Sequence, residues 1–175
     1  MKKLFVLAVI VVFGAGVIMA LWHKSPKYEE IELAPQGIGS SVVAPDFRLP
    51  KISGGYVSLS EVLQSRPVLL YFWATWCPMC SRLRPDVEAL RKKIDGEKLA
   101  IFAVNIGVND PIERVVRYVK ENRVSLPVLY DRKGEVSARY GAFGVPLFVL
   151  INSDGKIIYW GHELPDVLGF FKSRS

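Results

Sequence analysis

The chain has 175 residues, half of them hydrophobic and 23% charged, with a formal net charge of +6. That balance predicts one folded domain with room for an appendage and excludes a largely disordered chain. The lysines and arginines are spread and interleaved with acids, which argues against a nucleic-acid binder and leaves either a soluble surface that is simply basic or attraction to anionic lipid or an acidic partner.

After "MKK", the run "LFVLAVIVVFGAGVIMALW", Leu4 to Trp22, carries no charge. As a helix it would span roughly 28 Å, close to the hydrocarbon thickness, with Trp22 at the interface. Residues 1–22 are therefore expected to form a single N-terminal transmembrane anchor. A cleaved signal peptide is the competing reading. Cutting at Gly14-Ala15-Gly16 would leave "VIMALW" exposed, and cutting after Ala20 puts Ile18 where a small residue belongs. No cysteine follows the run, so lipid attachment at an N-terminal cysteine is out. Lys2 and Lys3 with the amino terminus, set against Lys24 and Lys27, favour an inside N-terminus and an extracytoplasmic remainder. Residues 23–43, rich in Pro, Gly and Ser, read as a linker, and the folded domain is expected over 44–175.

Within that domain "YVSLSEVLQ" predicts a short strand running into a short helix, with Ser58 or Ser60 as N-cap. "PVLLYFWA", Pro67 to Ala74, is a continuous apolar run suited to a strand buried on both faces. A helix follows, with Leu83, Val87, Leu90 and Ile94 at helical spacing. "KLAIFAVNI", Lys98 to Ile106, is a second buried strand. Asp110-Pro111 predicts a helix start with Asp110 as N-cap and Pro111 at the first helical position, the helix ending near Asn122. "LPVLYD" reads as a short third strand and "GEVSARYGA" as a short helix. "VPLFVLIN" and "KIIYWGH" flank "SDG" as a hairpin, and "LPDVLGFFK" is a final helix. Strands alternating with helices predict an α/β fold, and the closing hairpin makes its sheet mixed.

The chain's two cysteines, Cys77 and Cys80, stand where the first buried strand turns into a helix. As a staple the pair would close a tiny loop, and loop-closure stabilisation grows with loop length. A structural zinc site needs about four ligands, and the only histidines are His23 and His162. A two-thiolate Cu(I) site beside the soft Met79 is chemically open. The placement favours a reactive pair: a helix N-terminus favours a thiolate at Cys77, and Cys80, one turn in, would resolve a mixed disulfide. Pro78 and Met79 supply no charge, and Pro78 removes one N–H donor.

"FWATWCPMC" followed by Pro85 resembles the thioredoxin active site, and "GVPLFVLI", Gly144 to Ile151, resembles that family's cis-proline loop. "APDFRLP", "GGYVSLSEVL" and "RPVLLYFWATWC" resemble the opening of the TlpA/ResA-like branch. The likeness runs over roughly residues 44 to 165 and extends to suppressor-of-copper-sensitivity D-type proteins. It implies a thioredoxin-like fold, a mixed central sheet flanked by helices. It implies an extracytoplasmic, membrane-tethered thiol–disulfide oxidoreductase at a bacterial inner membrane, facing the periplasm. Cys77 matches the attacking cysteine, Cys80 the resolving one, and Trp76 the aromatic that shields the pair. Val145 and Pro146 match the substrate-docking loop, with Pro146 in cis and facing the cysteines. The partners implied are protein dithiols or disulfides and a membrane or extracytoplasmic electron donor, with no cofactor and no metal. The preferred direction is reduction, in cytochrome c maturation or disulfide repair. A disulfide oxidase or isomerase of the same fold, or a Cu(I)-binding module, is the alternative.

Two departures bear on the chemistry. Tyr71 stands where thioredoxin has a buried aspartate, and Leu147 follows Pro146 where relatives often carry Thr. Arg82 and Arg84 could attract an acidic partner or favour the thiolate. Ala74 occupies the place of the Thr that precedes a peroxidatic cysteine, which disfavours a peroxidase.

Overall fold

A computed structural model describes residues 42–172, so the expected membrane segment and residues 23–41 of the expected linker lie outside the described residues. Among the described residues no helix is long and apolar enough to cross a membrane.

The order is β1 (Arg48–Pro50), β2 (Tyr56–Ser58), α1 (Leu59–Leu63), β3 (Val68–Trp73), α2 (Pro78–Lys93), β4 (Ala100–Asn105), α3 (Ile112–Glu121), β5 (Val128–Tyr130), α4 (Glu135–Arg139), β6 (Leu147–Ile151), β7 (Ile157–Gly161) and α5 (Val167–Lys172). The five-stranded sheet has the order β5-β4-β3-β6-β7. β3 is its centre, parallel to β4 and antiparallel to β6. Every β3 residue is buried, which is why its sequence is apolar throughout rather than alternating. This is the mixed α/β sheet that the alternating pattern predicts.

Successive β3 side chains point to opposite faces. Tyr71 and Trp73 face α2 and α3: the Tyr71 hydroxyl reaches the Cys80 carbonyl, and Trp73 packs on Tyr118 at 5.4 Å between ring centroids. Phe72 faces the other way, onto Tyr140 at the end of α4, which also meets Phe47. α2 and α3 are joined along their length. Ser81 Oγ and Tyr118 Oη are 2.9 Å apart, and Arg84 Nη1 donates to Glu88 at 3.1 Å and to the Asn122 carbonyl at 3.4 Å. Ser125 N–H also donates to Glu88, at 3.0 Å.

The register places the functional end of the molecule. β3 runs from Val68, opposite Ile151, to Phe72, opposite Leu147, while Trp73 pairs with Asn105. The C-terminal ends of β3 and β4 therefore meet the N-terminal end of β6. The segments that follow or precede these ends, 74–77, 106–111 and 143–146, gather at one edge of the sheet. The opposite edge receives the N-terminal segment: Ala44 N–H donates to Gly155 and Ile157 N–H to Val42, at 2.8 and 2.9 Å.

One strand is added and two local expectations are corrected. β1 is absent from the sequence reading because three residues ending in proline carry no period; it exists as the partner of β2, and Lys51 and Ile52 beyond it bridge to β5. Ser58 holds the N-cap position of α1 but makes no side-chain cap; its hydroxyl faces Ser60 Oγ. The cap comes from Asp46, whose Oδ1 accepts from Ser60 N–H at 3.0 Å and Phe47 N–H at 2.8 Å. Pro111, not Asp110, is the N-cap residue of α3, and Asp110 turns its carboxylate into the protein.

The displaced cap is measurable. Asp46→Ala should lower stability by about 1 kcal/mol, the usual worth of an N-cap, while Ser58→Ala should stay within about 0.5 kcal/mol. Urea midpoints decide it, and equal midpoints for the two variants would return the cap to Ser58.

Candidate active site

Helix α2 starts at Pro78, whose missing N–H costs nothing at a first helical position. Its N-cap residue is Cys77, in extended conformation, with Sγ accepting the Cys80 N–H at 3.0 Å. The helix presents positive potential to this sulfur. Cys77 and Cys80 are joined as a disulfide, with Cα atoms 5.3 Å apart. Both are nearly inaccessible, at 3% and 1% exposure, while Pro78 and Met79 between them are exposed. Pro85 lies inside the helix.

Across from the sulfur stands the loop before β6. The Val145–Pro146 peptide bond is cis, and the Val145 carbonyl oxygen is 3.5 Å from Cys77 Sγ. The structure thus brings Cys77, Cys80, Val145 and Pro146 together from segments 68 residues apart. Trp76 sits beside them, 48% exposed, its Nε1–H donating to the Val108 carbonyl at 3.0 Å. The indole is thereby fastened to the loop after β4. Leu147 is fully buried, so this apolar residue belongs to the core rather than to the surface that a client would meet.

Other parts of the site are invisible to sequence reasoning. His162, at the end of β7, donates from Nδ1 to the Pro146 carbonyl at 2.7 Å, which fixes its tautomer and braces the loop. Thr75 donates to Asp110 from both its N–H, at 2.7 Å, and its hydroxyl, at 2.5 Å. Asn105 Nδ2 donates to the same carboxylate at 2.7 Å and its Oδ1 accepts the Gly107 N–H at 3.0 Å. Gly107 adopts φ +69°, and a Cβ there would strike the Asp131 carbonyl oxygen, so only glycine fits. No periodicity announces these contacts; they depend on which strands become neighbours.

Tyr71 fills the place of the absent acid and packs flat on Phe148, centroids 5.0 Å apart and planes 12° from parallel. Its hydroxyl donates to the Cys80 carbonyl at 2.8 Å. Burial pushes its phenol well above the ordinary tyrosine range; Tyr118 adds to this and Arg84 opposes it. Tyr71 is thus a neutral brace under α2, not a base for Cys80. Arg84 is committed to Glu88 and Asn122, away from the sulfurs, while Arg82 is exposed. Among the described residues no group of three or more His, Cys, Asp or Glu is placed to hold a metal ion.

The chain belongs to the AhpC/TSA family, whose model matches residues 41–160. It is 34% identical over 137 residues to the thioredoxin-like protein YneN of Bacillus subtilis, covering 78% of this chain and 77% of that protein. It is 35% identical over 115 residues to the thiol-disulfide oxidoreductase ResA of Halalkalibacterium halodurans, covering 66% and 64%. A thiol-disulfide oxidoreductase structure from Bacteroides fragilis shares the fold, with TM-score 0.66, 24% identity and coverage of 77% of this chain and 100% of that one. With the cysteine geometry, these relatives make the chain a thiol–disulfide oxidoreductase of thioredoxin-like fold.

The buried phenol has a signature in stability. Folding favours the neutral form of Tyr71, so its contribution is fully present below the unfolded tyrosine value of about 10 and is lost as pH rises above it. Denaturant midpoints of the wild type should therefore fall above about pH 10, and Tyr71→Phe should reduce that fall. Tyr140, shifted in the same direction by burial, accounts for a remaining part. An identical alkaline slope in Tyr71→Phe would contradict the assignment.

Proposed function

We propose that this chain is a membrane-tethered, extracytoplasmic reductase of protein disulfides, in a cytochrome c maturation or disulfide repair setting. The observation that carries the reading is the contact of Cys77 Sγ with Val145 beside the cis-Pro146 bond, at the start of α2. The residue before the proline offers backbone to an extended client, which would place a client sulfur next to Cys77. Trp76 covers the flank of this approach. The uncharged run at Leu4–Trp22, with its lysine bias, supports the tether and the outward orientation.

The exchange balances as follows. The Cys77 thiolate attacks one sulfur of a client disulfide; the Cys77–client bond forms as the client bond breaks, and the second client sulfur leaves as a thiolate and takes a proton from solvent. Cys80, after giving its proton to solvent, attacks Cys77 Sγ. The mixed disulfide breaks, the client departs as a dithiol, and the enzyme keeps the Cys77–Cys80 disulfide. Two electrons have passed to the client, and a donor dithiol reverses the steps on the enzyme.

Support for the reducing direction lies in how little stabilises a thiolate here. The Cys80 N–H is the donor seen on Cys77 Sγ, and Pro78 contributes none.

Insulin reduction should fall to the uncatalysed rate in Cys77→Ser, and Cys80→Ser should accumulate mixed disulfides with clients on non-reducing gels. Retained activity in Cys77→Ser would refute the enzyme assignment. Titrated against glutathione or dithiothreitol, the wild-type couple should poise near or below about −270 mV; a value near about −120 mV would make the chain an oxidase.

A further inference from the structure

We propose that Asp110 is a positioning residue for Cys77 whose buried charge keeps the cysteine pair reducing. The inference rests on thiol–disulfide exchange at Cys77 and deepens the proposed direction by naming a residue that sets it.

Asp110 has no exposed surface. Its Oδ2 accepts from Thr75 N–H and Asn105 Nδ2, and its Oδ1 from the Thr75 hydroxyl. Among the described residues three donors and no cation meet it: Arg114 of α3 donates to the Asn109 carbonyl instead, at 3.0 Å. The backbone of Asp110 is held as well, its carbonyl accepting the Tyr130 hydroxyl at 3.1 Å. Thr75 lies two residues before Cys77, and the intervening Trp76 is tied to Val108 of the same loop. The β3–α2 turn is thus buckled from behind by residues 107–110, and the buckle ends in a negative charge.

Two consequences follow. The buckle fixes the extended backbone of Cys77 that lets its sulfur cap α2. The charge, shielded from water, opposes the thiolate that the helix N-terminus favours. A thiolate that costs more makes the dithiol less stable relative to the disulfide, which is the property of a reductant. β3 carries no acid under Cys80; the buried acid of this chain meets the turn at Thr75 instead.

Asp110→Asn separates charge from shape. The amide oxygen can keep the Thr75 N–H and Asn105 bonds, and the amide N–H₂ can donate to the Thr75 hydroxyl, which rotates to accept. The other ionisable groups around the two sites remain in place. These are Tyr130 from β5, Glu113 and Arg114 from α3 and Arg132 near Asp110, with Tyr71 from β3, Arg82 from α2 and His162 after β7 toward the cysteines and Arg84 of α2 turned to Glu88 and Asn122.

The experiment is an equilibrium titration of full-length wild type and Asp110→Asn against glutathione at pH 8, with Cys77 ionisation followed by the pH dependence of iodoacetamide alkylation. In Asp110→Asn the equilibrium should move toward the dithiol by about fivefold, ~20 mV, and alkylation should begin at lower pH. An equilibrium within about twofold of wild type, with an unshifted alkylation profile, would reduce Asp110 to a structural role and overturn the proposal. If Asp110→Asn does not fold, the wild type decides: a Cys77 midpoint above about 7 supports an opposed thiolate, and one below it overturns the idea. A wild-type couple near about −120 mV would sink the reductase reading and, with it, the claim that Asp110 keeps the pair reducing, even with the shift intact. A reducing wild type with no shift would sink this inference alone.

Discussion

The hydrogen bond from Cys80 N–H to Cys77 Sγ joins covalent chemistry to architecture. A helix needs acceptors for its first N–H groups, and here the acceptor is a sulfur of the Cys77–Cys80 disulfide. That requires Cys77 to be extended while Pro78 is already helical, a change of backbone within one residue. The requirement accounts for much of the neighbourhood. β3 must end at Trp73, its last residues must be held by strands on both sides, and the turn 74–77 must be rigid. Parallel β4 and antiparallel β6 supply the hold, and the same two strands deliver the loops that complete the site.

The face beneath the pair is a tyrosine where a carboxylate would be the usual choice for proton movement. Tyr71 keeps its proton, spans the gap to the Cys80 carbonyl and stacks on Phe148. Tyr71 therefore braces the helix beneath the pair without offering it a base.

Much of this was legible in the residues, and the reason is physical. Long apolar runs and a cysteine turn are local signals, and the β3–α2 junction, the paired strands and the closing hairpin came from them directly. Cys77, Cys80, Val145 and Pro146 sit together as their motifs implied, because the motif residues lie at strand ends that this topology brings to one edge. What escaped reading is non-local. Asp46 caps a helix fourteen residues away, and Asp110 serves a turn thirty-five residues earlier in the chain. Asp46 precedes a strand and gives no sign of capping, whereas Asp110-Pro111 reads as an ordinary local cap. The polar side chain had two possible sets of donors, the first turn of α3 or the Thr75 backbone, and only the packed structure decides between them. Arg84 was ambiguous in the same way: a basic residue on the cysteine helix, it spends its donors on the junction with α3.

The stitching of Val42 and Ala44 to the β6–β7 turn bears on reach. That turn lies past Ile151, level with the start of β3, whereas Cys77 lies past its end. The polypeptide thus joins the folded body at the pole opposite the sulfurs, roughly a strand length or 20 Å away. Residue 42 therefore enters the folded body at its base, while the cysteine turn lies beyond the far end of β3. A pull on residue 42 would load the hydrogen bonds to Gly155 and Ile157 before it loads the turn around Cys77, so strain entering at this base dissipates far from the sulfurs.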